Sequence, residues 1–285
     1  MEWPKLKNII LIILVVTNLG LMAFVGRQEL HDSRARKQAR GEAIQFLADR
    51  GVRVAEEQVP QDEGLPPQKV ERDLEREGAL AAQLLAGPVQ AEDRGGGVYR
   101  YFNEKGSIQF HSDGAFQAQL AAGAFPLGED RAADCLAALE RMGFQGELLE
   151  DRGETLVFRQ LWNGWPLFSQ QVTLHLQDGC LTAMAGGRRL VGEPEEDLSS
   201  TPISVVTALI DFLNGLNLLG DVCSRIDTIT QGYVASTALS GPMALTPVWR
   251  IATDTGSYQL DMLTGELSRV EVPGLAAAVP AVPAG

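Results

Sequence analysis

VYRYFNEKGSIQF (Val98 to Phe110) lines up without a gap on VWRIATDTGSYQL (Val248 to Leu260). Val98, Arg100, Gly106, Ser107 and Gln109 recur as Val248, Arg250, Gly256, Ser257 and Gln259, and Tyr99 meets Trp249. In both copies aromatic and aliphatic residues alternate with polar ones around a central glycine. That is the period-two pattern of a hairpin with one buried face. A turn glycine follows each, Gly114 and Gly265, with one extra residue in the second copy. A helical segment also comes before each hairpin. The expected fold class is α+β: duplicated units of helices packed on antiparallel sheets, preceded by an N-terminal transmembrane helix.

Outward from the first copy, Val98 to Asn103, Ser107 to His111 and Phe116 to Leu120 read as strands, broken at Gly106 and Asp113-Gly114. A helix follows over Glu129 to Met142, with Cys135, Leu136 and Leu139 on one face and Gly143 as its stop. Thr155 to Leu161, Gln170 to Leu176 and Leu181 to Ala185 read as a meander turning at Asn163-Gly164 and Asp178-Gly179. Another helix is predicted over Pro202 to Leu216, capped by Ser200 or Thr201 with Pro202 in its first turn. Strands at Pro247 to Thr253, Ser257 to Met262 and Glu266 to Val270 close the fold, and the Ala/Pro/Val stretch from Pro273 to Gly285 reads as a disordered tail. Nearer the start, Ser33 to Arg50 carries Ala39, Ala43, Phe46 and Leu47 at helical spacing, stopped by Gly51. Ala55 to Gly97 is rich in Glu, Gln, Pro and Gly, with a short helix expected over Leu74 to Leu85.

Ile9 to Val25 reads IILIILVVTNLGLMAFV and carries no charge. At about 1.5 Å per residue it reaches roughly 26 Å, close to the thickness of a bilayer core. Lys5 and Lys7 before it also suit a signal peptide, but no small-x-small cleavage site follows, so an uncleaved anchor is expected. Basic residues flank both ends, Lys5 and Lys7 before and Arg27, Arg34, Arg36, Lys37 and Arg40 after, so charge leaves the orientation open. Thr17, Asn18 and Gly20 lie mid-span. A side-chain amide in hydrocarbon seeks a partner, and a small neighbour lets another helix approach, so these three are the candidate helix-contact residues.

The net charge of −13 argues against nucleic acid, whose backbone is held by clustered Lys and Arg. Cys135, Cys180 and Cys223 form no C-x-x-C pair and read as small buried hydrophobes. His31, His111 and His175 lie far apart without ligand spacing, and Gly95-Gly96-Gly97 lacks the frame of a phosphate cradle. Glu193, Glu195, Glu196 and Asp197 around Pro194 read as a solvated loop rather than a calcium site. Without a nucleophile motif, a Walker loop or a Cys/His cluster, neither an enzyme, a metal nor a cofactor is expected.

The opening MEWPKLKNIILIILVVTNLGL resembles that of YycI-type regulatory proteins: an acidic residue with Trp3, then Lys7, an apolar run and the Asn18-Leu19 pair. LVFRQLWNGWPLFSQQVTL and TPVWRIATDTGSYQLDMLTGEL resemble strand motifs that the YycH/YycI family shares with PepSY-like domains. In the second of these, Asp261 and Thr264-Gly265-Glu266 stand at an acidic residue and a T-G-E/K turn. The resemblance implies an N-terminus inside and a body outside a Gram-positive-type membrane. It also implies a partner set: the sensor histidine kinase of a two-component system governing cell-wall metabolism, a YycH-like protein, and the bilayer itself. It implies no catalytic residues.

The expected layout is a cytoplasmic N-terminus (1–8), a transmembrane helix (9–26), extracellular α+β domains over 27–125 and 126–272, and the tail (273–285). The expected function is regulation, by restraint, of the membrane kinase. The alternative is a PepSY-type extracytoplasmic module that inhibits a protease or binds a cell-envelope component.

Overall fold

A computed structural model describes residues 14, 35, 37–61, 64–188, 193–237 and 242–270 of the chain. Helix α1 (37–49) and a 3-10 turn (Glu56–Gln58) lead into strand β1 (Gln68–Val70). One unit follows: α2 (Leu74–Leu84), β2 (Gln90–Asp93), β3 (Tyr99–Asn103), β4 (Gly106–Phe110) and β5 (Ala115–Leu120). A second runs through α3 (Arg131–Arg141), β6 (Gln145–Asp151), β7 (Thr155–Trp162), β8 (Trp165–Gln177) and β9 (Cys180–Arg188). After the short strand β10 (Pro194–Glu196), a third unit comprises α4 (Val205–Leu219), β11 (Ile226–Thr237), β12 (Met243–Thr253), β13 (Ser257–Asp261) and β14 (Leu267–Arg269). Each unit is a helix followed by a four-stranded antiparallel meander. The class is mixed α+β, with one large, mainly antiparallel sheet and four helices among the described residues.

The matched segments are β3–β4 and β12–β13, and their registers coincide. Tyr99 pairs with Phe110 and Tyr101 with Ile108; Trp249 pairs with Leu260 and Ile251 with Tyr258. The extra residue in the second copy falls in the next turn, so Phe110 opposes Phe116 whereas Leu260 opposes Leu267. Burial follows the same face: Tyr101, Ile108 and Phe110 in one copy, Ile251, Tyr258 and Leu260 in the other. Trp249 is fully buried, while its counterpart Tyr99 is half-buried against its core. Between them stands the second unit, which shares the topology without the sequence match.

Sheet order is β10-β1-β12-β11-β8-β9-β5-β4-β3-β2, with β13 and β14 beside β12, and β7 and β6 beside β8. The first two units meet through their last strands, β5 against β9, and α2 touches α3 above them. One core therefore runs through both, across the 125/126 point where the sequence suggested a boundary. In the third unit α4 shares a second core with α1, through Ala43 and Leu47 on α1 and Leu209 and Phe212 on α4. A small third cluster, including Leu167, Tyr233 and Leu245, fills the junction where β8 meets β11.

Several boundaries move for identifiable reasons. The last helix starts at Val205 rather than Pro202, because Ile203 donates its N–H to the Met262 carbonyl and is held extended. Ser204, not Ser200 or Thr201, is the cap, its hydroxyl accepting the Thr207 N–H at 3.3 Å. The acidic run is not simply a loop: Pro194–Glu196 forms β10 on β1, with all three residues exposed. Strand β11 gives no alternation in sequence because Gln231, Gly232 and Tyr233 are all buried. Gly232 lets β11 lie against β8, since a Cβ there would sit 2.4 Å from the Pro166 carbonyl oxygen. Gly215 does the same between α4 and Leu267, where a Cβ would meet the leucine Cβ at 2.5 Å. Of the expected span over 9–26 Leu14 alone is described; Thr17, Asn18 and Gly20, like the tail 273–285, lie outside the described residues. Among those described, no helix is long and apolar enough to cross a membrane.

One ion pair bolts α2 to the first hairpin. Arg72 binds Glu77 through both carboxylate oxygens, at 2.6 and 2.8 Å, and donates to the Gly97 carbonyl at 2.6 Å. Its guanidinium also lies over the Tyr99 ring, and Glu77 is almost wholly buried.

Two stability predictions follow from this packing. Trp249→Ala should cost about 3–5 kcal/mol in urea unfolding, the range for a fully buried large aromatic. Tyr99→Ala should cost clearly less, as its ring is half-exposed. Trp249→Phe should lose under half as much as Trp249→Ala, because the Trp249 indole N–H is buried without an acceptor among the described residues, a penalty of ~1–3 kcal/mol that phenylalanine removes. Glu77→Ala leaves Arg72 without its counter-charge and should cost about 3 kcal/mol, whereas replacing both partners by apolar residues should cost less.

Candidate functional site

In each unit the turn between the second and third strands docks on the stretch that follows the unit's helix. In the first, Asn103 donates through its amide to the Pro88 carbonyl at 3.3 Å, and Lys105 Nζ donates to the Ala86 carbonyl at 3.1 Å. In the third, Thr255 occupies the place of Lys105 and its hydroxyl donates to the Val222 carbonyl at 2.9 Å. In the second, the Gly164 N–H donates to the Gln145 side chain at 3.2 Å. The same lock is built from unrelated side chains. Only in the first unit does the locking residue bring a positive charge.

That charge stands at the mouth of a solvent-open cavity of about 280 Å³. The floor is apolar: Phe125 and Leu127 from the β5–α3 loop, Ala138 from α3 and Leu181 from β9. The loop is stitched down by Leu181 N–H to the Phe125 carbonyl and Leu127 N–H to the Gly179 carbonyl, both 2.9 Å. Three charged groups line the cavity: Lys105, Arg141 from the last turn of α3, and Asp134 from its first turn. One Asp134 oxygen accepts the Gly128 N–H at 2.5 Å. Among the described residues neither Lys105 nor Arg141 has a carboxylate partner. The lining contains no Ser, Thr, Cys or His. The cavity presents two cations, one acceptor and an apolar floor.

The residues singled out from sequence do not converge here. His175 lies exposed on β8, and His111 is in the turn after β4, its carbonyl accepting the Gly114 N–H. Cys135 is buried on α3, and burial pushes its thiol up to about 11, with Asp134 adding to the effect. Burial also pushes Cys223 up to about 11. Among the described residues no group of three His, Cys, Asp or Glu side chains gathers as a metal site would. The acidic run is engaged in surface pairs, Lys69 with Asp197 and Arg76 with Glu193, both at 2.9 Å. Asp197 is held at about 2 by the Ser199 hydroxyl and then by Lys69. Lys105 and Arg141 went unremarked in sequence, where each is one exposed-type base among many.

No family model matches the chain, and no curated protein matches it in sequence. Among solved structures, an uncharacterized protein from Eubacterium rectale aligns at 12% identity and a TM-score of 0.41, covering 73% of this chain and 86% of its own. The C-terminal domain of YpeB from Bacillus megaterium aligns at 12% identity and a TM-score of 0.36, covering 71% of this chain and all of that one.

The buried thiol gives a chemical check on this packing. A buried cysteine kept protonated is a poor nucleophile, since the thiolate is the reactive form. In native protein at pH 8, Cys135 should resist alkylation by iodoacetamide and become labelled only on denaturation. Peptide mapping by mass spectrometry reads this directly, and rapid native labelling would show that the α3 face is open.

Proposed function

We propose that the chain is a membrane-tethered regulatory protein that acts by binding rather than catalysis, with a membrane sensor histidine kinase as its target. The observation that carries this reading is the place of α1. The helix nearest the apolar run is built into the core of the third unit through Ala43 and Leu47, and Val52 beyond it is buried there too. A mere tether needs no such packing, whereas here the helix that follows the apolar run in sequence is part of the body's own core. The resemblance of the opening sequence to YycI-type proteins, with Asn18 mid-span, supplies the partner class and the orientation, N-terminus inside and body outside. A YycH-like protein is the proposed companion.

A second reading has its own support. The cavity beneath the β5–α3 loop lies in the first two units, away from α1, and suits an extracytoplasmic module that binds a cell-envelope component or inhibits a protease. That module would work without its anchor.

Asn18 separates the two. An interhelical amide bond in lipid is worth ~0.5–2 kcal/mol, enough to bias a partner helix but not to hold a complex alone. Asn18→Leu should therefore weaken co-purification of the kinase with the full chain, and alter a transcriptional reporter of kinase output, at unchanged membrane abundance. An unrelated apolar span of equal length should do the same more strongly. Normal regulation by both variants at normal abundance would reduce the span to a tether and leave the module reading.

A further inference from the structure

The cavity between α3, the β5–α3 loop and the first hairpin combines features that one class of ligand satisfies together. We propose that it binds the C-terminal residue of a polypeptide: a free carboxylate, an apolar side chain and the residue's own amide N–H. Lys105 and Arg141 would take the carboxylate. Lys105 spends one of its three donors on the Ala86 carbonyl, and Arg141 has no ion-pair partner among the described residues. Phe125, Leu127 and Leu181 would cover the apolar side chain. Asp134 would accept the amide N–H, since Gly128 engages only one of its two oxygens.

Charge decides among small amphiphiles. The lining carries two cations and one carboxylate, so its net charge is about one positive unit, and a C-terminal residue with one negative charge neutralises it. A free amino acid is a zwitterion and would leave that charge uncompensated while adding an ammonium to a mouth that already holds two cations. A fatty acid brings the carboxylate but no donor, and would press hydrocarbon against Asp134, a desolvation with nothing in return. This assignment is independent of the membrane-kinase reading, because no group in it belongs to the anchor or to α1.

The test uses the full chain in nanodiscs and a peptide ending in Ala-Leu, fluorescently labelled at its N-terminus, followed by anisotropy. The free acid should bind, and the same peptide as a C-terminal amide should bind at least tenfold more weakly, the scale of one charge-assisted contact. Unlabelled leucine and octanoate should compete at least tenfold less well than the unlabelled acid peptide. Arg141→Gln and Lys105→Gln should each weaken binding several-fold, and Ala137→Trp, placed on the exposed wall of the cavity, should abolish it with the thermal midpoint preserved. Equal binding of acid and amide, absence of binding by the acid peptide, or full binding by Ala137→Trp would overturn the proposal. Stronger competition by octanoate than by the acid peptide would reassign the cavity to fatty acids and overturn it as well. None of these outcomes depends on whether Asn18 contributes to kinase control.

Discussion

Strand β8 holds the architecture together. Along its C-terminal half it pairs with β7 on one side and β9 on the other, inside the second unit. Near its start, Leu167 and Phe168 pair in parallel with Tyr233 and Val234 of β11. That contact joins the third unit to the other two. It is a short ladder, and side chains reinforce it: Gly232 permits the close approach, Tyr233 donates its hydroxyl to the Pro66 carbonyl at 2.8 Å, and Trp162 donates its indole N–H to Gln68 at 2.8 Å. Burial pushes the Tyr233 phenol up to about 12, so this donor stays protonated at any ordinary pH. Both polar bonds reach back to the segment around β1, so the ribbon before the first unit covers the joint between the second and the third.

From that joint the two halves differ in how they finish their sheets. The first and second units end on β5 and β9, and these pair, so neither unit presents a free last strand. The third unit ends on three residues, Leu267–Arg269, beside α4. Arg269 closes that end by binding Asp221 through Nε and Nη2, both at 2.7 Å, while Tyr258 donates to the same carboxylate at 3.1 Å. Arg269 chiefly holds Asp221 below the usual carboxylate range. The first two units share one core between a pair of helices, and the third builds its own with α1. Helix α1 therefore joins the body through the third unit, while the cavity belongs to the other two.

Much of the fold was legible in the sequence because its signals are local. The Val98–Phe110 and Val248–Leu260 match encodes turn length and alternation, and a hairpin's register is set by these alone; the registers agree residue for residue. Helix α3 was readable from its apolar face, Cys135, Leu136 and Leu139, and from the stop at Gly143. The second unit's kinship with the others was not, because its turn Asn163-Gly164, its longer β8 and its bulges at Leu149 and Gln160 leave topology but no matching residues. Strand β6 was missed because most of its side chains are exposed, and an edge strand carries little apolar pattern.

The sequence by itself determined the α+β class, the paired hairpins, an acidic body and an apolar N-terminal run, since each depends on residues near one another in the chain. Only the tertiary structure decided that the units share sheets, that α1 belongs to the third unit's core, and that Lys105, Asp134 and Arg141 face one cavity. Lys105 lies in a hairpin turn and Arg141 at a helix end, and nothing local to either records the other. Their meeting depends on β5 lying against β9, which brings the β5–α3 loop down on Cys180 and sets α3 beside the first hairpin. A contact between elements far apart in sequence is fixed by packing, and packing energy is shared among many weakly specific apolar residues rather than written in any one motif.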